Sequence, residues 1–448
     1  MKSQTKLSGC ILRFLVFLWT GCLIQFCWLC RIPLWVKIPL CILSGIIYLA
    51  LHFVRFSNGS GEKRLRTLAH GCSLLGTCFF WTIAEIPVLI ATAVTSAFPL
   101  AIRICSAALF LLLCCLSFWI SILHLLCSGK QVKKYWYLIL CFIWWMPVVS
   151  WILTLYIYRT SKREWRVEQA KSACNAVRKE SEICQTKYPI LLVHGIFFRD
   201  WQYLNYWGRI PGELLRNGAI LFYGRQQSAQ SVQNSGRELA VQIQAVCKAT
   251  GSPKVNLIAH SKGGLDCRCA IQDYGAAPYV ASLTTINTPH YGCSFVDDLL
   301  QKVPLSLQKW IAARYNQTFS KLGDANPDFL AGVQDLTAAN CAAFLESHPC
   351  LPSITYYTVM SKMHSICAAS FPLNLGYWMN RRREGDNDGL VPVCSAQLPG
   401  VPLLLVPETK KRGVSHGDMI DLMRENIPDF DVREWYVQLV SRLKQEGF

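Results

Sequence analysis

Over its first 158 residues the chain contains no aspartate and two glutamates, Glu62 and Glu85, against 13 Lys+Arg. Charge is scarce throughout: 16% of the 448 residues are charged, while 52% are hydrophobic. That balance excludes a disordered protein, and it excludes a fully soluble one because the charged residues are too few to cover so much apolar surface. There is also no P-loop, no repeated zinc-type Cys pair, no internal repeat and no low-complexity tract. The net charge of +17 is not gathered on one folded face, so no nucleic-acid partner is expected. Much of it lies in short loops between apolar runs, around Lys63-Arg64-Leu65-Arg66 and Lys130 to Lys134, where basic residues set topology beside anionic lipid head groups.

A membrane-spanning helix needs about 20 mostly apolar residues. Gly9–Cys30, Ile38–Val54, Cys72–Leu100, Ile104–Cys127 and Trp136–Tyr158 each approach that length, so residues 1–158 read as an all-α transmembrane bundle of about five helices. The third run carries Glu85 followed by Pro87, read as a helix break whose carboxylate reaches a neighbour or the interface. Loop charge with five spans places the C-terminal half on the outer face of the membrane. Arg159, Lys162, Arg163 and Arg166, directly after the last run, argue for the opposite side. Of the 22 cysteines, those in the apolar runs are too scattered for metal ligation and read as small packing residues.

Residues 159–186 are charged and read as a linker helix; from 187 to 448 the pattern changes. Tyr188–Val193, Ala219–Tyr223 and Val255–Ala259 are short continuous apolar runs, as strands buried on both faces would be. Ser282–Ile286, Ile354–Val359 and Val401–Val406 continue the series. Helical stretches lie between them, such as Ser235–Ala249 with apolar residues at Leu239, Ile243 and Val246. Strands alternating with helices predict an α/β fold with a mostly parallel sheet covered on both faces.

The third strand runs into Ala259-His260-Ser261-Lys262-Gly263-Gly264, a G-x-S-x-G nucleophile elbow with Ala in the first Gly place. A serine hydroxyl becomes a nucleophile only when a base takes its proton and a carboxylate orients that base. Downstream, Asp388 in Gly385-Asp386-Asn387-Asp388-Gly389-Leu390-Val391 supplies the acid, and His416 in Val414-Ser415-His416-Gly417-Asp418 supplies the base. The order Ser, acid, His is that of elbow hydrolases, and it selects Ser261, Asp388 and His416. Asp386 is the rival acid and His290 a rival base that could line the pocket; His260 is read as a structural elbow residue. The oxyanion donors are expected to be the backbone N–H groups of Lys262 and Ile196. His194 in the same loop reads as an anchor, and Phe197, Phe198, Trp201 and Tyr203 as an apolar wall suited to an acyl chain.

On these residues the stretch from 188 to about 430 resembles the bacterial true lipases, the triacylglycerol lipases of the α/β-hydrolase superfamily. The resemblance is carried by Tyr188-Pro189, Leu192-Val193-His194-Gly195, His260-Ser261, Gly263-Gly264-Leu265, Thr288-Pro289-His290, Asn387-Asp388-Gly389-Leu390-Val391 and His416. It implies an α/β-hydrolase fold over 187–448 with a lid at about 291–330, for which Phe295–Leu322 fits. It implies a disulfide to Cys394, with Cys350 as the candidate partner. It also implies a structural calcium, for which Asp418 matches one ligand; no carboxylate stands at the other place, so calcium is doubtful, and no cofactor is required. The ammonium of Lys262, where the family has a neutral residue, is expected to favour anionic head groups. The expected function is that of a multi-pass, membrane-anchored serine ester hydrolase acting on lipid acyl esters, its partners being the lipid substrate and the bilayer. Phospholipase, acyltransferase or thioesterase chemistry with the same triad stays open, as does a non-catalytic membrane scaffold.

Overall fold

The computed structural model describes residues 2–54, 62–196, 205–321, 323–407, 409 and 412–448. The chain divides into two compact units, Met1–Ala176 and Val177–Phe448.

The first unit is helical: α1 (Lys2–Gly21), α2 (Leu23–Leu29), α3 (Leu34–Leu51), α4 (Lys63–Val94), α5 (Leu100–Ser128), α6 (Lys134–Ile143) and α7 (Pro147–Arg178), the last crossing the boundary. Three of these, α3, α4 and α5, are long and apolar enough to cross a membrane; a fourth is added if α1 and α2, bent by 56°, count as one span. Among the described residues, three or four helices have spanning length and composition, against five apolar runs in the sequence. The difference lies in the run Trp136–Tyr158, which breaks between Ile143 and Pro147 into the 10-residue α6 and the start of α7. Proline fits the first turn of a helix but not its interior, so Pro147 begins α7, which continues into the charged residues after 158. By contrast α4 stays unbroken through Pro87. Its Glu85 is buried, accepting from Trp81 Nε1 at 3.1 Å and from the Cys22 thiol at 3.5 Å. Outward faces are apolar, with Trp35, Ile42, Leu111, Leu112 and Phe142 exposed, which is compatible with membrane association.

The second unit is built on six parallel strands: β1 (Ile190–Val193), β2 (Leu221–Tyr223), β3 (Val255–His260), β4 (Val280–Ile286), β5 (Thr355–Met360) and β6 (Leu403–Leu405). Their order across the sheet is β2-β1-β3-β4-β5-β6. Each falls on one of the apolar runs singled out above, and the α/β-hydrolase fold class is borne out. The helices are α8 (Ile210–Arg216), α9 (Val232–Thr250), α10 (Gly263–Asp273), α11 (Ser294–Lys302), α12 (Leu305–Lys321), α13 (Phe329–Gln334), α14 (Ala338–Ser347), α15 (Leu373–Arg383) and α16 (Val432–Gln445).

The apolar runs lack polar alternation because both faces of the sheet are covered. Ile190, Leu192 and Ile258 point to one side and pack with Ile210 and Leu214 of α8 and Tyr436, Val437 and Val440 of α16. Leu191, Val193, Leu257 and Ala259 point to the other and pack with Leu239 and Ile243 of α9 and Cys267 and Ala270 of α10. Helix α9 starts where Ser231 Oγ accepts from Asn234 N–H and stops at Gly251, whose φ of +68° needs no side chain. The segment expected as a lid helix is two helices, α11 and α12. They are separated at Val303-Pro304 because proline pushes the residue before it out of helical geometry, and Val303 is extended.

Leu257 is fully buried at the centre of this sheet. Leu257→Ala is expected to cost about 2–5 kcal/mol, read as a lowered thermal unfolding midpoint of the full chain.

Candidate active site

The last residue of β3 is His260 and the first of α10 is Gly263, so the chain turns from strand to helix within two residues. Ser261 makes that turn with φ +56°, a left-handed conformation that costs a non-glycine residue of order 1–3 kcal/mol. The turn is held by its own backbone. Ser261 N–H donates to Ile286 O at 2.9 Å, and Ser261 O accepts from Gly264 N–H at 3.1 Å and from Thr288 Oγ1 at 2.8 Å. The small neighbours are sterically required. A Cβ on Gly263 would lie 2.5 Å from His194 O, and one on Gly195 would lie 2.8 Å from Ser261 Cβ.

Asp388 and His416 meet beside this turn. Asp388 is fully buried, and its carboxylate accepts four hydrogen bonds. Oδ1 takes the backbone N–H groups of Leu390 (2.8 Å) and Val391 (2.7 Å). Oδ2 takes His416 Nδ1 at 2.7 Å and Asn287 Nδ2 at 2.7 Å. His416 N–H also donates to Asp388 O at 2.9 Å, so the two residues are joined by backbone and side chain together. The His416 ring centroid lies 4.4 Å from that of His260, the residue before Ser261. Ser261 is 3% exposed and His416 8%.

The rivals lie elsewhere. Asp386 is a surface carboxylate paired with Lys362 at 3.3 Å and with Arg381. His290 is fully buried, with Nε2 3.1 Å from Thr285 Oγ1 and Nδ1 3.4 Å from Arg268, and burial and that guanidinium drive its pKa well below the usual histidine value. Both its ring nitrogens are thus engaged inside the fold. His194 is likewise buried, between Gly195 O (2.8 Å) and Gln226 O (3.1 Å). His260, held neutral by burial, shares a 2.8 Å hydrogen bond with Tyr206 Oη. Phe197, Phe198, Trp201 and Tyr203 lie outside the described residues.

Ile196 and Lys262, the expected oxyanion donors, flank the turn, and among the described residues neither backbone N–H has a partner within the chain. The loop carrying Ile196 is fixed by Gly195 N–H, which donates to Tyr206 Oη at 3.0 Å. Tyr206 and Asn287 are the two contacts that the sequence did not announce. No spacing marks Tyr206; Asn287 stands directly before Thr288-Pro289-His290, a polar residue at the end of a buried strand.

Two expectations need correction, on Lys262 and on the Cys350–Cys394 disulfide. The ammonium of Lys262 does not face a head group: the side chain is buried, 2.6 Å from Asp266 Oδ1 and 3.1 Å from Ser235 Oγ. The i,i+4 spacing of Lys262 and Asp266 places them on one helix face, and burial pushes the Asp266 carboxyl up to about 7 against the pull of that ammonium. Cys350 and Cys394 are both free, as are all 22 cysteines, so the implied disulfide is not formed. Cys350 lies by Arg268 and Tyr356 ahead of β5, whereas Cys394 is an exposed residue near Glu384. The Asp418 carboxylate is occupied by Ser415 N–H (2.8 Å), Ser415 Oγ (2.7 Å) and Arg412 (3.3 Å). Among the described residues no group of three His, Cys, Asp or Glu side chains could hold a metal ion.

The chain is similar to known lipases and to a thioesterase family. Residues 189–329 match the family described as palmitoyl protein thioesterase. A triacylglycerol lipase of Vibrio cholerae serotype O1 is 33% identical over 296 residues, covering 59% of this chain and 89% of that protein. A triacylglycerol lipase of Pseudarthrobacter phenanthrenivorans is 35% identical over 177 residues, 37% of this chain; the match spans about half of that relative, 54%. The crystal structure of Staphylococcus hyicus lipase superposes with a TM-score of 0.45 at 19% identity, covering 58% of this chain and 98% of that one.

The buried pair behind the elbow makes a direct prediction. Lys262→Met alone strands the Asp266 carboxylate and is expected to cost about 3–5 kcal/mol. Lys262→Met combined with Asp266→Leu is expected to recover most of that loss. Thermal unfolding midpoints of the two variants check the order.

Proposed function

The chain belongs to the triacylglycerol lipase family, and from that premise we propose that it is a serine hydrolase cleaving acyl esters of lipids. The observation that carries the reading is the Asp388–His416 pair, joined at 2.7 Å and set beside a serine held in a left-handed turn. Ser261 Oγ attacks the acyl carbonyl while His416 Nε2 takes its proton, and Asp388 keeps Nδ1 protonated and the ring oriented. The negative charge on the former carbonyl oxygen is met by the N–H groups of Ile196 and Lys262, each worth about 10²–10³ in rate where such donors have been removed. His416 then protonates the leaving alcohol. Water, deprotonated by the same imidazole, releases the fatty acid and restores Ser261. The reaction so written uses no cofactor.

The apolar helices of the first unit serve as a multi-pass anchor in this reading and hold the enzyme at its lipid substrate. Helices α11 and α12 serve as the cover. Leu305, Leu307, Trp310 and Ile311 present an exposed apolar face, while Ser261 and His416 are shielded. A second reading, thioester hydrolysis by the same three residues, is favoured by the match of 189–329 to the thioesterase family. The chemistry differs only in the leaving atom, sulfur in place of oxygen, so paired ester and thioester substrates of one acyl chain separate the two.

Reaction of the full chain with a fluorophosphonate probe tests the proposal. Wild type is expected to label and Ser261→Ala to show no label. Asp388→Asn is expected to slow labelling by about 10⁴-fold, the loss seen when a triad aspartate becomes asparagine. Asp386→Asn should label like wild type. An unlabelled wild type would favour the scaffold reading, and label persisting in Ser261→Ala would put the reactive nucleophile at another residue; either result overturns the proposal.

A further inference from the structure

We infer that Asn287 is a positioning residue for the acid: it fixes the plane of the Asp388 carboxylate and supplies the second hydrogen bond to the oxygen that holds His416. The inference rests on the Ser261–His416–Asp388 reading above and goes beyond it. Asn287 directly follows β4 and is fully buried, with φ +49°. Its amide is engaged on every side. Nδ2 donates to Asp388 Oδ2 (2.7 Å) and to Ser361 Oγ (2.8 Å), and Oδ1 accepts from Ser361 N–H (3.0 Å). Its own N–H donates to Val359 O at 2.9 Å. The amide orientation is set by chemistry, because an ionised carboxylate accepts only and a backbone N–H donates only.

Two requirements meet at this position. The backbone is left-handed, which glycine, asparagine and aspartate tolerate far better than other residues. The side chain must also reach Asp388 with a neutral donor. Glycine meets the first demand and not the second; aspartate fits the backbone but would face Asp388 with a like charge. Of the residues that favour this conformation, asparagine alone meets both.

The consequence lies in Oδ2. Oδ1 is pinned by two backbone N–H groups, so the carboxylate is free to tilt only through Oδ2, whose partners are His416 and Asn287. When His416 becomes an imidazolium during catalysis, its Nδ1–H must still find Oδ2 in the same place. The amide, anchored through Ser361 at the end of β5, keeps it there. Few other ionisable groups face the pair: the His260 ring lies against His416, and Cys293, its thiol kept protonated by burial, lies near Asp388.

The test uses the full chain carrying Asn287→Gly or Asn287→Asp, with Ser261→Ala as reference. Fluorophosphonate labelling rates are taken per folded molecule, and kcat and KM are measured separately on a short-chain ester. Asn287→Gly is expected to lose about tenfold or more in labelling rate and kcat, the scale of one hydrogen bond to a charged group, with KM unchanged. Asn287→Asp is expected to lose more, because its carboxylate faces Asp388. A residue that only filled space would give the reverse order, since aspartate keeps the volume and the contact to Ser361 N–H. Wild-type rates per folded molecule in Asn287→Gly, or Asn287→Asp outperforming Asn287→Gly, would overturn the inference. Should neither variant fold, Ser361→Ala carries the test. It loosens the amide without touching Asp388, and kcat should fall about threefold or more; an unchanged kcat overturns the inference. Label persisting in Ser261→Ala is a separate outcome, the failure of the triad reading itself.

Discussion

A single residue in a conformation that L-amino acids avoid organises the second unit. Ser261 at φ +56° ends a fully buried strand and starts a helix within two residues, and nothing local favours that turn. Its cost, of order 1–3 kcal/mol, is met by surroundings that leave the backbone no alternative. Three hydrogen bonds hold Ser261 N–H and O. The carbonyl of His194 closes one flank so tightly that residue 263 must be glycine, and the serine side chain closes the other so that residue 195 must be glycine too. These glycines are therefore consequences of the serine's geometry. The same closeness brings the loop bearing Gly195 and Ile196 against Ser261, with Tyr206 fixing it from behind.

Buried polar groups around this turn are handled in two different ways. The Asp388 carboxylate is stripped of water yet receives four donors, so its charge is stabilised by fixed dipoles that need not reorganise when charge develops nearby. Lys262 and Asp266 instead neutralise one another at 2.6 Å, one helical turn apart. Such a pair contributes little net stability once desolvation is counted. Its effect is on placement, since an ammonium tied to Ser235 on α9 and Asp266 on α10 fixes the residue that directly follows Ser261.

Much of the fold was legible because its physical causes are local. The central strands β1, β3 and β4 are buried along their whole length and carry no acidic, lysine or arginine residue, so they stand out by composition, whereas β2, β5 and β6 are only partly buried. A strand running into Ala-His-Ser-Lys-Gly-Gly marks its own turn. Asp388 was separable from Asp386 by its C-terminal neighbours: Leu390 and Val391 are the residues whose N–H groups bind the carboxylate. The features that were not legible depend on contacts distant in sequence. Asn287 and Asp388 are 101 positions apart, and Tyr206 and His260 are 54 apart; neither pair leaves a pattern. The surroundings of the Lys262 side chain are not legible in the sequence despite the i,i+4 aspartate, because composition does not say which helix face is buried. The Cys350–Cys394 bridge that the family resemblance implies has no counterpart in the local sequence, and both thiols are free. In the helical unit, hydropathy counted apolar residues but missed the break ahead of Pro147.

On the proposed reading, one thermodynamic tension remains within the hydrolase unit. Ser261 and His416 are almost closed to water, while Leu305, Leu307, Trp310 and Ile311 on α12 are 58%, 44%, 58% and 42% exposed. Fully burying such a side chain is worth about 1.5–3 kcal/mol, so four of them roughly half exposed forgo several kcal/mol in water. In an aqueous setting nothing returns that energy. Against an apolar acyl surface the same four side chains would recover it. The gain is available only where lipid esters reside, so on the proposed reading it draws α12 toward the phase that holds the substrate.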